Sequence, residues 1–285
     1  CRKNNISTAL IQGTLSEKSF KKWRFCNNIA KNIFSDFKPL IAQSQKDSIK
    51  YKELGVKKKI PIYNLKNSSS IPIVDIKKKN KLLNKIKHRP SIIGCSTHKE
   101  DEEILIRSHI ELKKTIPNIL TIILPRHPNR SINIKKLLCK NGLSFKSRTE
   151  NILPDINTDI YIADTFGEIG TLVKCADIVV LGGTFAPLGG HNIIEICKLS
   201  KGIICGPSTD KISEVVKLLL KNKAVIQLKN KEEFLPKVTM LFKNYENIKK
   251  IGKRANKTIK LLPQPENEII KFIDKEILKK KNAYS

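Results

Sequence analysis

The segment Leu181–Ile196, LGGTFAPLGGHNIIEI, contains four of the 13 glycines in this 285-residue chain. Glycine pairs let the main chain approach a ligand closely, and the free N–H groups at the start of a following helix attract an anionic phosphate. Glu195, in the first turn of that predicted helix, could accept hydrogen bonds from the two hydroxyls of a ribose. Asn192 and Glu195 also have the spacing of a helix-capping box, so this pair alone fits a cap as well. The glycines and His191 favour a nucleotide site.

The segment Ile123–Pro128, ILPRHP, presents an arginine directly after a strand-like apolar run. The planar guanidinium of Arg126 suits bidentate binding of a phosphate. The alternative is an arginine on a solvated loop, but the flanking prolines and His127 favour a rigid presentation.

The segment Asp164–Gly170, DTFGEIG, follows another apolar run. The main chain around Gly167 and the ring of Phe166 could hold a flat nucleobase. A turn followed by the acidic start of a helix explains the same residues, so both interpretations stand.

The segment Ser96–Glu100, STHKE, also has two interpretations. Thr97 and Glu100 have the spacing of a capping box. Alternatively, Ser96, Thr97 and His98 face a sugar acid across a cleft. The residues alone do not favour either interpretation.

All four clusters follow predicted strands of one α/β domain. Short apolar runs alternate with segments of helical periodicity, which is typical of a parallel sheet covered by helices on both faces. The predicted strands are 91–95, 120–124, 160–163, 178–181 and 202–206. Helices are predicted between them, near 105–116, 132–140, 168–175 and from Asn192, and from residue 210 to the end. Because ligands bind outside the carboxyl ends of such strands, this Rossmann-like domain would bring the four clusters to one edge.

The first 66 residues resemble part of a second α/β unit. A helix is predicted at Glu17–Phe34, a strand at PLIAQS, and a helix at Gln45–Leu54. The serine-rich segment Asn64–Ile73 predicts a linker between two domains. Because the chain opens with Cys1 rather than Met, we expect its true N-terminus to lie upstream.

The composition excludes several classes of protein. Seven cysteines without C-x-x-C pairs indicate reduced thiols rather than disulfides or a zinc site. The longest uncharged run, Ile178–Ile194, contains four glycines, a proline and a histidine, so it is no membrane helix. The formal charge of +29 fits nucleic acid or an anionic membrane surface. Lys, Asn and Ile are enriched together, as in proteins of AT-rich genomes, which favours compositional bias over a dedicated nucleic-acid patch.

In these clusters the sequence resembles the 3-deoxy-D-manno-octulosonic acid (Kdo) transferases of lipopolysaccharide synthesis. The matching segments cover essentially the whole chain, in the family's order and spacing. They are LSEKSFKKW, AQSQKD, NLK, STH with Glu102, PRHP, DTFGEIG, CADIVVLGGTF and GGHNIIE. The resemblance implies the GT-B fold, an α/β architecture of two Rossmann-like domains, the first incomplete here. Residues 1–66 would end the N-terminal acceptor domain, 67–74 would form the linker, and 75–285 would form the donor domain.

The resemblance also implies a site for cytidine monophosphate (CMP). The implied CMP contacts are Pro125, Arg126, His127, Phe166, Gly167, Glu168, Asn192, Ile193, Ile194 and Glu195. The implied contacts to Kdo are Ser96, Thr97, His98, Gly189, Gly190 and His191. Glu195 would hold the ribose diol, and Arg126 would stabilise charge on the departing phosphate.

The implied reaction moves Kdo from CMP-Kdo to the lipid A precursor, lipid IVA, with inversion and without a metal or cofactor. It would take place at the cytoplasmic face of the bacterial inner membrane, against an anionic lipid surface, with no specific nucleic acid as partner. The family's general base is a Glu expected upstream of Cys1, with a membrane-associating segment before it. We therefore expect this chain alone to bind CMP without transferring Kdo.

Two departures concern the linker and the Kdo side of the site. The family's glycine before NLK is Tyr63 here, and its H-x-G-E-E is HKEDE, with Glu100 in the glycine's place. The alternatives are a GT-B transferase with another nucleotide sugar, a basic RNA-associated protein, and a decayed remnant without activity.

Overall fold

This computed structural model describes residues 1–4, 6–262 and 265–281. Contacts divide the chain into two units, Cys1–Ser69 with the described part of Leu262–Ser285, and Ser70–Leu261. The first division falls within residues 67–74, the segment predicted as a linker. None of the described helices is both long and apolar enough to span a bilayer.

The smaller unit pairs two short parallel strands with four helices. Its elements are β1 (Leu10–Gly13), α1 (Glu17–Phe25), α2 (Asn27–Asp36), β2 (Leu40–Ala42), α3 (Gln45–Glu53) and α12 (Glu266–Lys281). The single helix predicted from Glu17 to Phe34 is wrong, because Cys26 leaves the helical region at φ −106° and ψ 47°. Across this break the Trp23 and Phe34 rings pack edge to face at 5.2 Å.

The larger unit is a seven-stranded parallel sheet. Its strands are β3 (Ser91–Thr97), β4 (Leu120–Pro125), β5 (Phe145–Ser147), β6 (Ile160–Ile162), β7 (Ile178–Leu181), β8 (Gly202–Cys205) and β9 (Ile226–Gln227). Its helices are α4 (Ile76–Ile86), α5 (Lys99–Thr115), α6 (Ser131–Lys140), α7 (Ile169–Cys175), α8 (Ile193–Lys198), α9 (Ser213–Lys221), α10 (Phe234–Lys243) and α11 (Tyr245–Ile259). The five strands predicted from the sequence are confirmed. The prediction that only helices follow residue 210 is wrong, because the strand β9 lies there. The strand β5 was not predicted either.

Helices cover both faces of this sheet. Alternate strand residues such as Ile92, Ile123 and Val180 form one buried core with side chains of α5, α6, α10 and α11. The residues between them point to the opposite face, where α4 and α7 pack together. The α/β fold class predicted from the sequence is therefore confirmed.

The strand order β5-β6-β4-β3-β7-β8-β9 places β3 between β4 and β7. The chain builds outward from β3 in one direction through β4 and returns to build in the other direction through β7. The carboxyl ends of β3 and β7 thus flank the topological switch point, where open α/β sheets bind their ligands.

Candidate functional site

A cavity of about 270 Å³ lies at this switch point. The residues lining it are Cys95, Ser96, Arg126, Ile169, Leu181, His191, Asn192, Glu195 and Ile196. Five of these were predicted from the sequence: Ser96, Arg126, His191, Asn192 and Glu195. They come from three separate segments of the chain, so the fold assembles them into one site.

The first glycine pair shapes the cavity by letting two strand ends approach. A Cβ atom added at Gly182 would lie 2.1 Å from the carbonyl oxygen of Ser96, so only glycine fits there. Gly183 has φ +69°, a left-handed conformation that glycine adopts without strain. The second pair, Gly189 and Gly190, packs its main chain against Lys211 and Ile212. The main role of these glycines in the structure is therefore to allow the close packing of the loops around the cavity.

Asn192 and Glu195 both cap α8 and line the cavity. Asn192 is the N-cap, and its side-chain oxygen accepts from the Ile194 N–H at 3.1 Å. Its amide donates to Glu195 Oε1 at 2.7 Å. The side chains of Ile193 and Ile194 are buried, so these two residues could offer a ligand only their main chain. The cap and the site are therefore compatible.

Arg126 presents an available cation to the cavity. It follows the buried Pro125 at the end of β4, and its N–H donates to the Thr97 carbonyl at 3.0 Å. Its side chain is exposed, and the guanidinium has no ion pair or hydrogen bond within the described ranges. Such a group can bind an anion without first breaking a protein contact. The neighbouring His127 is exposed, and its ring lies 6.0 Å from that of His98.

Two histidines from different loops meet beside the cavity. The His98 and His191 rings stack with centroids 5.1 Å apart and planes at 16°. Burial is the main cause that lowers the pKa of each ring, and His98, Arg126 and Lys211 help to lower the pKa of His191 to about 4. The two rings are therefore neutral at pH 7.

Of the predicted nucleobase segment Asp164–Gly170, Ile169 lines this cavity, but Phe166, Gly167 and Glu168 do not. Phe166 is 78% exposed, and a Cβ added at Gly167 would meet nothing within 4 Å. The Glu168 carboxylate accepts from Arg148, Thr165 and Lys78, and these contacts, led by Arg148, lower its pKa to about 2. Because this carboxylate is engaged with protein donors, a ligand would meet the main chain of 166–168. The role of this segment remains a prediction.

Of the two interpretations of the segment Ser96–Glu100, the capping box at Thr97 and Glu100 is wrong by one residue. The N-cap of α5 is His98, whose N–H donates to Asp101 at 2.9 Å. Thr97 instead belongs to β3, and its buried hydroxyl donates to Glu102 at 3.3 Å. Sequence reasoning did not single out Asp101, although three consecutive acidic residues in the first turn after a strand are the signal that could have found it.

Within the described part of the chain, no group of three or more His, Cys, Asp or Glu side chains could hold a metal ion. The three histidines near the cavity contact one another rather than converging on a common point. The geometry is that of a pocket for an anionic, hydrogen-bonding ligand.

Comparison with known sequences shows similarity to 3-deoxy-D-manno-octulosonic acid transferases. Residues 1–68 match the family model described as 3-Deoxy-D-manno-octulosonic-acid transferase (kdotransferase). The 3-deoxy-D-manno-octulosonic acid transferase of Rickettsia prowazekii is 35% identical over 268 residues, covering 93% of this chain and 55% of the relative. That of Haemophilus influenzae is 28% identical over 257 residues, covering 87% and 59%. The chain spans about half the length of the curated relatives it matches.

Comparison with solved structures supports the fold. The C-terminal CMP-Kdo binding domain of WaaA from Acinetobacter baumannii aligns with a TM-score of 0.61 at 21% identity, over 65% of this chain and 97% of that one. Anabaena Alr3699/HepE, solved with UDP and glucose, aligns with a TM-score of 0.57 at 15% identity, over 89% and 66%.

Proposed function

Because this chain is similar to 3-deoxy-D-manno-octulosonic acid transferases, we propose that its larger unit binds the CMP-Kdo donor of a glycosyltransferase. The observation that carries this proposal is the cavity at the switch point between β3 and β7. It combines an available guanidinium at Arg126 with a carboxylate at Glu195 and two neutral imidazoles.

This set of groups suits a nucleoside monophosphate. Arg126 supplies a forked cation for the phosphate, and Glu195 supplies acceptor oxygens for the ribose hydroxyls. His98 and His191, being neutral, offer hydrogen bonds to the sugar acid without a strong counter-charge. Phe166 to Glu168 would present the base-binding main chain.

The reaction we propose is the transfer of Kdo to a lipid A precursor, lipid IVA. An acceptor hydroxyl attacks the anomeric carbon of Kdo and gives its proton to a general base, the Glu that the resemblance implies. The bond from that carbon to the CMP phosphate oxygen breaks, and CMP leaves with the electron pair. The configuration inverts in this single displacement. Arg126 would stabilise the charge that develops on the departing phosphate, so no metal or cofactor is required.

We also propose the cytoplasmic face of the inner membrane as the place of reaction. The acceptor is a membrane lipid, and the charge of +29 favours an anionic lipid surface.

The test is a calorimetric titration of the chain with CMP, UMP and ADP, repeated on Glu195→Ala. We expect CMP to bind in preference to UMP and ADP, and the variant to lose most of that binding. Glu214→Ala is the matched control, because Glu214 is an exposed first-turn carboxylate of α9 outside the cavity.

A preference for UMP would instead indicate another nucleotide sugar. Equal loss of CMP binding in both variants, or no nucleotide binding by the folded chain, would contradict the proposed donor site.

A further inference from the structure

Helix α5 begins with two consecutive buried carboxylates that the donor-site assignment does not use. Asp101 is fully buried and Glu102 is 2% exposed, although charged residues rarely occupy such positions without a specific partner. Both lie in the first turn after β3, the strand between β4 and β7.

Asp101 holds the glycine-rich loop that follows β7. Its Oδ2 accepts from the N–H groups of Gly183 at 2.8 Å and His98 at 2.9 Å, and its Oδ1 accepts from that of Phe185 at 3.1 Å. Gly183 in turn packs against His191, since a Cβ added there would lie 3.1 Å from that ring. Asp101 is thus connected through one loop to a ring that lines the cavity.

Glu102 holds the loop that follows β4. Its Oε1 accepts from Arg130 Nε at 3.0 Å, and its Oε2 accepts from Arg130 Nη2. It also accepts from the Thr97 hydroxyl, and the Thr97 carbonyl accepts the N–H of Arg126. The segment that carries Arg126 is therefore held at both ends. Thr97, which donates to Glu102, accepts the N–H of Arg126, and Arg130 donates to Glu102 directly.

The two carboxylates reach different loops because of helix geometry. Adjacent residues on an α-helix point about 100° apart, so consecutive side chains at its start can reach the two strands on either side of β3. Burial is the main cause that raises the pKa of Asp101, so its ionised form costs folding free energy at neutral pH. Because this buried charge lowers the stability of the fold, its role is better explained by the loops that it holds in place.

We propose that Asp101 and Glu102 are positioning residues that set the two loops flanking the cavity in the geometry that binds the nucleotide phosphate. This inference rests on the proposed donor site. Neither side chain lines the cavity, so each acts through main-chain groups or through Arg130.

The test compares Asp101→Asn with a control at the opposite edge of the sheet. Asp159 is also buried, accepts the N–H of Ser144, and directly precedes the start of β6. An asparagine at 101 would place an NH₂ group against at least one N–H donor. We expect Asp101→Asn to weaken CMP binding about tenfold, Asp159→Asn to leave it unchanged, and Asp101→Glu to restore part of it.

Amide hydrogen exchange gives a readout that needs no nucleotide. In Asp101→Asn the Gly183 and Phe185 amides should exchange faster, while the amides within α5 keep their protection. Unchanged exchange at these two amides would overturn the role of Asp101, even if the chain bound no nucleotide. If only the CMP titration failed for the wild-type chain, the proposed donor site would fail instead.

Arg130→Lys tests the proposed role of Glu102 without removing its buried charge. Lysine keeps the positive charge but loses the fork that meets both carboxylate oxygens. We expect severalfold weaker CMP binding with an unchanged melting temperature. Wild-type affinity in this variant would overturn the role of Glu102.

Discussion

The Nε2 atoms of His98 and His191 lie 2.9 Å apart beside the cavity. One of them must donate and the other accept, so the two rings cannot both be protonated in this arrangement. Burial and the nearby cations Arg126 and Lys211 also disfavour a charge on His191. The two imidazoles are therefore neutral without a ligand, and an anion bound beside them would favour protonation of one ring.

We predict that CMP binding is coupled to proton uptake by this pair. A bound phosphate would raise the pKa of His191 from about 4, so affinity should increase as the pH falls from 7 toward 5.5. Calorimetry in two buffers of different ionisation enthalpy measures the uptake. CMP itself binds a proton near pH 6, so the informative quantity is the excess over His191→Gln. Equal uptake by both proteins would contradict the coupling.

Arg126→Ala should weaken CMP binding by about tenfold to a hundredfold, because it removes a charge-assisted hydrogen bond to the phosphate. The free energy of unfolding should change by less than about 0.5 kcal/mol, since the guanidinium has no partner among the described residues to lose. Arg107→Ala, at an exposed position of α5, is the control for lost charge. If it weakened binding equally, general electrostatic attraction would be the explanation.

The sequence predicts the central strands well because each is a short, continuous apolar run. Ile160–Ile162 and Ile178–Leu181 are buried on both faces, and burial is the property that such runs report. The strand Phe145–Ser147 was missed because two of its three residues are polar, so pairing with the neighbouring strand rather than its own pattern makes it a strand.

For the candidate site, the pattern shows which residue types follow each strand but not which of them meet. Ser96, Arg126 and Glu195 converge as predicted, since the carboxyl ends of parallel strands share an edge. Glu168 does not line that cavity, because Arg148 engages its carboxylate from 20 residues away. A contact of that kind depends on tertiary packing and leaves no periodic signal in the sequence.

Gly182→Ala should lower the free energy of unfolding by about 2 kcal/mol or more, because the added methyl group would meet the main-chain oxygen of Ser96 at 2.1 Å. A backbone atom in a central strand cannot move aside as a flexible side chain can. Gly142→Ala is the control: it has φ +64° with open space around it, so it should cost about 1 kcal/mol from conformation alone. Urea denaturation of both variants measures the difference, and equal losses would contradict the close approach.

The last prediction concerns acid stability and the buried His109. This side chain is 0% exposed; its Nδ1 lies 2.9 Å from the Thr121 hydroxyl, and its Nε2 lies 3.6 Å from Asp159. Burial is the main cause that lowers its pKa to about 4, despite the opposing effect of Asp159. His109 therefore binds a proton near pH 6.5 in the unfolded chain but only near pH 4 in the folded chain.

The sign follows from this difference. Between about pH 6.5 and pH 4 the unfolded state binds more protons, so stability is lost as the pH falls through that window. His191 contributes in the same direction, so the comparison is between the wild type and His109→Gln. The wild type should lose on the order of 2 kcal/mol more than this variant between pH 6.5 and 4.5, measured by urea denaturation. His88→Gln, at an exposed position, should keep the wild-type dependence, and a wild-type dependence in His109→Gln would show that His109 does not carry the effect.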